Sequence, residues 1–283
     1  MLPASWAFKV SDDSHEMKLI FSEQTVDYAH YQFGYAVWAI PEAGETPADI
    51  FQAGFLPSSR QLDRFYLCRQ IRVSLEQFEL SSENRRILRK GEGITVTLVP
   101  REKFDYTPAR RDFFKSYADA KFGRDVMTYE RLDSLFSTPI ISHLLVFTDS
   151  KTGEEIGVAT LYVEAETLAY YYYAFYDLNY AYRSLGMFMM TSAAELFAGR
   201  GLKHLYLGTC YSEKALYKTQ FIGVEFFNGF RWSANLEELK FLLQRDRQKS
   251  DQHLLENEAY RIQFYGGELA NIADTSRFRT TAE

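Results

Sequence analysis

The stretch that most constrains this chain is Tyr170-Tyr171-Tyr172-Tyr173-Ala174-Phe175-Tyr176, six aromatic side chains in seven positions. Such a run predicts a covered β-strand, because aromatic side chains fit a pleated surface that is packed over. Asp177 and Asn179 end it with turn chemistry. Ser184 then stands as N-cap of a helix running to about Gly199, where Gly199-Arg200-Gly201 breaks it. A second strand, His204-Leu205-Tyr206-Leu207-Gly208, follows at once. The order is strand, turn, helix, strand, with a helix N-terminus beside a strand end. The orphan N–H groups of that helix end suit a negatively charged group.

At 283 residues the chain suits one large domain or two lobes. Hydrophobic residues at 46% and charged residues at 25% are those of a soluble globular protein. No apolar run approaches the ~20 residues of a membrane span, and Met1-Leu2-Pro3-Ala4-Ser5-Trp6 lacks a signal-peptide pattern. Cys68 and Cys210 supply neither a disulfide framework nor a CxxC metal site. A cytoplasmic protein without a membrane partner is therefore expected. The net charge of −6 argues mildly against nucleic acid, but it is unevenly spread. Between Arg60 and Arg124 stand 15 Lys/Arg against 9 Asp/Glu, a local excess of +6. Phosphate binding follows such a local patch rather than the total.

In chain order, residues 1–27 are polar and mixed, with a turn at Asp12-Asp13-Ser14. Residues 31–40 read as a strand or strand pair. Pro41 to Pro47 is a loop, and a short helix leads to Gly54-Phe55. Arg69 to Leu75 alternates in the manner of a half-buried strand. Ser81-Ser82-Glu83-Asn84 opens a helix that Gly91-Glu92-Gly93 stops, and Ile94 to Val99 is a strand. A lobe boundary is placed near residue 100. Thr107-Pro108 starts a helix to about Phe122, followed by a polar helix-turn. Ile140 to Phe147, Ile156 to Val163 and Leu168 to Tyr176 are three consecutive strands, with a hairpin loop at Asp149–Gly153. A short helix near Glu213–Thr219, a long strand from Val224 to Trp232 and a last helix capped by Asn235 complete the pattern. The tail beyond Lys249 is polar and either wraps back or frays.

Three clusters carry candidate chemistry. The first is Arg183-Ser184-Leu185-Gly186-Met187-Phe188 at the helix opening. It is similar to the (Arg/Gln)xxGx(Gly/Ala) loop with which GNAT-type acyltransferases cradle the coenzyme A pyrophosphate, but Phe188 replaces the small residue. The bland alternative is an ordinary capped helix. The second is Gly208-Thr209-Cys210-Tyr211-Ser212-Glu213-Lys214-Ala215-Leu216-Tyr217-Lys218. At helical spacing Lys214 and Lys218 share a face, with Tyr217 adjacent; otherwise this is a solvated turn. The third is Arg85-Arg86-Ile87-Leu88-Arg89-Lys90. Arg85 and Arg89 share one helical face, either merely solvated or shaped to meet phosphates or a carboxylate. The five histidines (His15, His30, His143, His204, His253) show no ligand spacing, and His204 reads as structural. There is no GxSxG, P-loop or HExxH.

Phe175-Tyr176-Asp177, Ser184-Leu185-Gly186, Gly201-Leu202-Lys203-His204-Leu205-Tyr206-Leu207-Gly208 and Tyr217-Lys218 together resemble the arginyl-tRNA–protein transferases. The likeness in style is to the bacterial aspartate/glutamate leucyltransferases, whose pattern runs FYDP, SLGTY, GLxYxYLGY and MxYK. Gly54-Phe55-Leu56-Pro57 stands where that family has GFRR, and Ser81 to Lys90 resembles its SxSQRRxxRxN. The chain departs from the pattern at Leu178 and at Leu56-Pro57, and Cys68 alone stands where the family has a cysteine cluster, at which some members bind a metal or iron–sulfur cluster.

The resemblance implies an α+β protein of two GNAT-like lobes, each a mostly antiparallel sheet flanked by helices. Residues 1–100 would form an N-terminal aminoacyl-transferase lobe, 101–250 a C-terminal GNAT-like lobe and 251–283 a tail. The implied reaction moves Leu or Arg from aminoacyl-tRNA to the N-terminal amine of an acceptor protein with an acidic N-terminus. Aminoacyl-tRNA is then a co-substrate, and no cofactor or metal is expected. In this reading Asp177 lies near an α-amine, and Tyr176 and Tyr211 line the pocket. Arg85, Arg86, Arg89, Lys214 and Lys218 meet tRNA phosphates or the acidic acceptor, with Ser184, Gly186 and Tyr217 completing the binding surface. Two other readings stay open: a coenzyme A-dependent GNAT N-acyltransferase, and a non-catalytic relative that binds tRNA or peptide N-termini.

Overall fold

A computed structural model describes residues 8–10, 17–24, 26–27, 33–247, 253–276 and 278–280. The turn expected at Asp12-Asp13-Ser14, the first residues of the strand expected over 31–40, and His15 and His30 lie outside the described residues. The chain forms two compact units. The first takes residues 1–71, 209–219 and 225–283, and the second takes 72–208 and 220–224. Residue 100 lies inside the second.

The chain begins with β1 (Phe8–Val10), β2 (Lys18–Glu23), β3 (Tyr35–Ile40), α1 (Pro47–Gln52), β4 (Phe55–Pro57), β5 (Phe65–Leu67) and β6 (Gln70–Ser74). Then come α2 (Ser82–Lys90), β7 (Ile94–Pro100), α3 (Pro108–Phe122), α4 (Tyr129–Phe136), β8 (His143–Asp149), β9 (Glu155–Glu164) and β10 (Leu168–Tyr176). After a 3-10 turn at Leu178–Arg183 follow α5 (Leu185–Gly199), β11 (His204–Thr209), β12 (Val224–Phe227) and β13 (Trp232–Ser233). The last elements are α6 (Leu236–Arg245), α7 (Glu258–Tyr265), α8 (Leu269–Thr275) and β14 (Phe278–Thr280). The protein is thus α+β, with sheets flanked by helices. Among the described residues no helix is long and apolar enough to cross a membrane.

The second unit is built around β10. Its sheet runs β6-β11-β10-β9-β8-β7, antiparallel from β10 to β7 and parallel between β10 and β11. Tyr170, Tyr171 and Phe175 are buried, while Tyr172, Tyr173 and Tyr176 are half-buried. The helices start where the chain's capping residues put them. Ser81 accepts from Asn84 N–H, Thr107 from Arg110 N–H just before Pro108, and Thr128 from Arg131 N–H. The segment expected as a polar helix-turn is the helix α4, which buries Leu132, Leu135 and Phe136. β6 also departs from expectation. Its alternation suggested one wet face, yet Gln70 and Arg72 are 0% and 7% exposed. Arg72 fits there because its guanidinium reaches the Tyr206 hydroxyl at 3.4 Å, a partner 134 residues away.

In the first unit β2-β3-β5-β4 form an antiparallel sheet beside α1. Gly54 takes φ +104°, and a Cβ there would fall 2.5 Å from the Phe227 ring. The long strand expected from Val224 to Trp232 is instead a hairpin, with Phe226 opposite Ser233 and Phe227 opposite Trp232. Asn228-Gly229 turns it, since Gly229 adopts φ +109° and Asn228 Oδ1 accepts from Phe230 and Arg231 N–H. The tail carries α7, α8 and β14, so α6 is not the last helix. β14 pairs with β1, and Phe278 packs edge-on against Phe55 and Phe227. Glu238, on α6, holds this end of the chain. It is fully buried and accepts from Tyr260 (2.7 Å), Tyr265 (2.8 Å), Asn228 (2.9 Å) and Ser233 (2.7 Å). Donors arranged in this way offset the cost of taking a carboxyl group out of water. Glu238→Leu strands four donors, so urea denaturation is expected to show a loss of about 3–5 kcal/mol.

Candidate functional site

The site expected at the end of β10 lies wholly in the second unit. β10 pairs in parallel with β11 over Leu168–Tyr170 with His204–Tyr206. On its other side, the pairing with β9 carries a bulge between Tyr171 and Tyr173. Thr160 Oγ1 accepts from Tyr173 N–H (3.0 Å) and donates to Tyr173 O (3.3 Å), so the bulge leaves neither backbone group unpaired.

Tyr176 closes the strand. Its ring packs on Tyr117 of α3, with centroids 4.7 Å apart, and its hydroxyl reaches the first turn of α5. A Cβ on Gly186 would sit 2.9 Å from that hydroxyl and 3.1 Å from the ring, so only glycine leaves it this room. The next residue, Asp177, is half-buried and caps the turn. Its Oδ1 accepts from Asn179 N–H at 2.9 Å, and its carbonyl accepts from Tyr180 N–H at 3.1 Å. The Tyr180 hydroxyl donates to Asp149 Oδ2 at 3.1 Å, tying the connection into α5 to the far end of β8.

Ser184 does occupy the N-cap position, but its side chain makes no capping bond. Its φ of +55° places it in the left-handed region, a strained conformation for serine. The hydroxyl instead accepts from Lys90 Nζ at 3.2 Å. Lys90 is the site residue that sequence reasoning passed over. It stood in the basic run as one more charge, and its place at the end of α2 was the available signal. A lysine ammonium and a helix N-terminus both attract an anion. Phe188 is buried, edge-on to Phe147 (6.0 Å) and over Gly91.

The arginines of α2 are exposed on its outer side. Arg86 forms a two-pronged pair with Glu83 (2.5 and 2.6 Å), and Arg85 donates to Leu80 O. The pair with Glu83 raises the Arg86 guanidinium further and lowers the Glu83 carboxyl. Elsewhere in the basic stretch Arg110 is bidentate to Glu155 and Arg111 to Asp133. Much of the local excess is therefore already paired.

Tyr211, Lys214, Tyr217 and Lys218 belong to the first unit. The Tyr211 hydroxyl accepts from Arg69 N–H at 2.7 Å, and the Arg69 guanidinium lies over its ring while bonding Asp246 at 2.6 Å. The segment Glu213–Thr219 is a 3-10 helix, not the α-helix that would put Lys214 and Lys218 on one face. At three residues per turn they diverge. Lys214 and Tyr217 are exposed, whereas Lys218 turns inward and donates to Thr209 O at 2.9 Å. Burial pulls its amine below the ordinary lysine range.

No group of three or more His, Cys, Asp or Glu side chains that could hold a metal occurs among the described residues. Cys68 is buried, and burial pushes its thiol up to about 12. A lone protonated thiol is a poor ligand, so this set does not fit a zinc or iron–sulfur cluster.

Residues 79–219 match the family model described as an acetyltransferase (GNAT) domain. Aspartate/glutamate leucyltransferase from Ruegeria pomeroyi is 27% identical over 173 residues, 59% of this chain and 62% of that protein. The enzyme of the same name from Methylorubrum populi is 29% identical over 171 residues, 54% of this chain and 66% of its own length. That from Pseudoalteromonas atlantica is 25% identical over 232 residues, covering 78% and 90%. The first two matches thus span less than two thirds of those relatives. The sheet around β10 and the family-model match make residues 79–219 a GNAT-like domain. Beyond that domain, the chain is similar to the aspartate/glutamate leucyltransferases.

His204, at the start of β11, is neutral. Burial first, then the positive charges of Arg72 and Lys203, push its pKa from 6.5 down to about 3. In the unfolded chain it takes up a proton below about 6.5, and in the folded protein only near 3. Its contribution to stability is therefore complete above 6.5 and falls away as the pH drops toward 3. Thermal melts of His204→Asn are expected to show a shallower fall in Tm over that window than the parent.

Proposed function

We propose that this protein is an aminoacyl-tRNA–protein transferase that moves leucine or arginine to the N-terminal amine of an acceptor protein beginning with Asp or Glu. The observation that carries the reading is the convergence of Tyr176, Ser184, Gly186 and Lys90 at the opening of α5, in a chain similar to the leucyltransferases. Lys90 and the free end of α5 suit a tRNA phosphate or the 3′-terminal ribose. Arg85, Arg86 and Arg89 suit the phosphates that follow, and exposed Lys214 and Tyr217 add a further surface for tRNA or the acidic acceptor.

The chemistry is aminolysis. The acceptor's α-amine attacks the ester carbonyl, a C–N bond forms, and the C–O bond to the ribose breaks. One proton leaves the amine and one reaches the departing ribose oxygen. Asp177 pairs with the α-ammonium and takes its proton, and the Tyr176 hydroxyl donates toward the developing oxyanion or leaving oxygen. Because an ester is already activated, orientation supplies most of the rate and no covalent nucleophile or cofactor is needed. Aminoacyl-tRNA is the co-substrate, which places the protein in the cytoplasm. The GNAT match supports a second reading, N-acylation from an acyl-coenzyme A, with the pyrophosphate at the same helix end.

Asp177→Asn separates the turn cap from the chemistry. Asparagine keeps the bond to Asn179 N–H, so Tm is expected to stay close to the parent. Transfer from leucyl- or arginyl-tRNA to Asp- and Glu-initiated peptides is expected to fall at least about tenfold. Parental transfer rates would make Asp177 structural. A parent that transfers from neither tRNA yet acylates from acetyl-coenzyme A would select the second reading.

For the basic helix, each of Arg85, Arg86 and Arg89 that touches a phosphate is expected to flatten the log–log salt dependence of tRNA binding by about 0.7–0.9 when changed to Ala. Unchanged slope together with lost transfer to acidic peptides would assign the arginines to the acceptor. Unchanged values for both would leave α2 a solvated face.

A further inference from the structure

The sheet of the second unit ends at β7, and among the described residues no strand pairs with its outer edge. Ser150 N–H donates to Gly93 O (2.8 Å), and Arg101 N–H donates to Ser142 O (2.9 Å). These bonds turn the odd-numbered residues of the strand toward β8. The N–H and C=O of Val96 and Leu98 therefore point away from the sheet. Exposed edges are normally blunted by a lysine, an internal proline or a bulge. Ile94-Thr95-Val96-Thr97-Leu98-Val99 carries none of these, and its register with β8 is unbroken up to Pro100.

On one face of this edge, Ile94 and Val96 meet Phe188 and Leu196 in a cleft of about 440 Å³. Glu92 and Glu195 also line it, and both are exposed. On the other face Thr95 and Thr97 stand in solvent. The edge thus offers backbone donors and acceptors, an apolar floor and two acids, all in register with one strand.

We propose that β7 accepts an extended segment of a partner polypeptide as an added strand. Alternate side chains of that segment would enter the cleft, a basic one against Glu92 and Glu195 and an apolar one over Val96. Backbone pairing supplies affinity in this mode, and the alternate pockets supply selectivity. A second copy of this chain is disfavoured, because edge-to-edge pairing would bring two acidic clefts together.

The test uses a fluorescein-labelled peptide, Thr-Arg-Thr-Val-Thr-Arg, which sets threonines on the Thr95 face and Arg, Val, Arg over the cleft. Saturable binding is expected by anisotropy, with slowed amide exchange at Val96 and Leu98, and much weaker binding when Glu replaces both peptide arginines. Glu195→Arg is expected to weaken binding about fivefold. Val96→Pro removes the outward N–H without touching a bond to β8 and is expected to weaken it at least about tenfold, with Tm near the parent. Should that variant fail to fold, the exposed Glu195→Arg change carries the comparison. Several results would overturn the proposal: no saturation by about 1 mM, equal binding of both peptides, or binding that leaves the Val96 and Leu98 amides unchanged. A dimer in sedimentation equilibrium that Val96→Pro dissolves would give the edge to a second copy and overturn it equally.

Discussion

In the second unit, the stacking of rings from α3 and α4 onto β10 is the constraint on which the rest of the site depends. The Tyr106 and Phe136 rings lie 4.2 Å apart, Phe136 and Phe114 5.4 Å, and Phe114 and Phe175 4.7 Å, all close to parallel. Each such pair adds roughly 0.5–1.5 kcal/mol beyond the area it buries. The column fixes both helices against the strand and fixes Phe175 within it. Tyr176, the next residue, is left little freedom between Tyr117 and Gly186. A hydroxyl held that firmly is pre-organised, the condition under which a donor aids a reaction without reorganising.

Charge is arranged with the same economy. Arg110 and Arg111, at the start of α3, pair with Glu155 and Asp133, and Lys90 at the end of α2 donates to the Ser184 hydroxyl. The same junction carries the left-handed Ser184. Strain of this kind costs stability and persists only where the surrounding structure holds it.

Much of this was legible in the chain. The aromatic run, the Thr107-Pro108 start of α3, the Ser81 cap and the helix after Ser184 all follow from local rules, because the residues that decide them are neighbours in sequence. What escaped depended on distant partners. Arg72 reads as a solvent-facing residue until Tyr206 is known to stand beside it. The helices after residue 253 look like a polar tail until Glu238 is seen collecting the hydroxyls of Tyr260 and Tyr265. Lys218 looked like a surface charge because helical spacing was assumed where the chain makes a tighter coil. Asn228-Gly229 was a local signal, hidden by the apolar residues on either side.

The pairing of β1 with β14 bears on the order in which the molecule assembles. Phe8 meets Thr280 and Val10 meets Phe278, so this ribbon closes a loop of almost the whole chain. Closure of so long a loop is entropically slow and goes unrewarded until both ends are positioned. The second unit, by contrast, draws nearly all its strands from the continuous stretch 72–208. During synthesis that stretch leaves the ribosome with its partners in hand, while Phe55 and Phe227 await Phe278. The first unit, divided between residues 1–71 and residues that follow 208, is thus finished last.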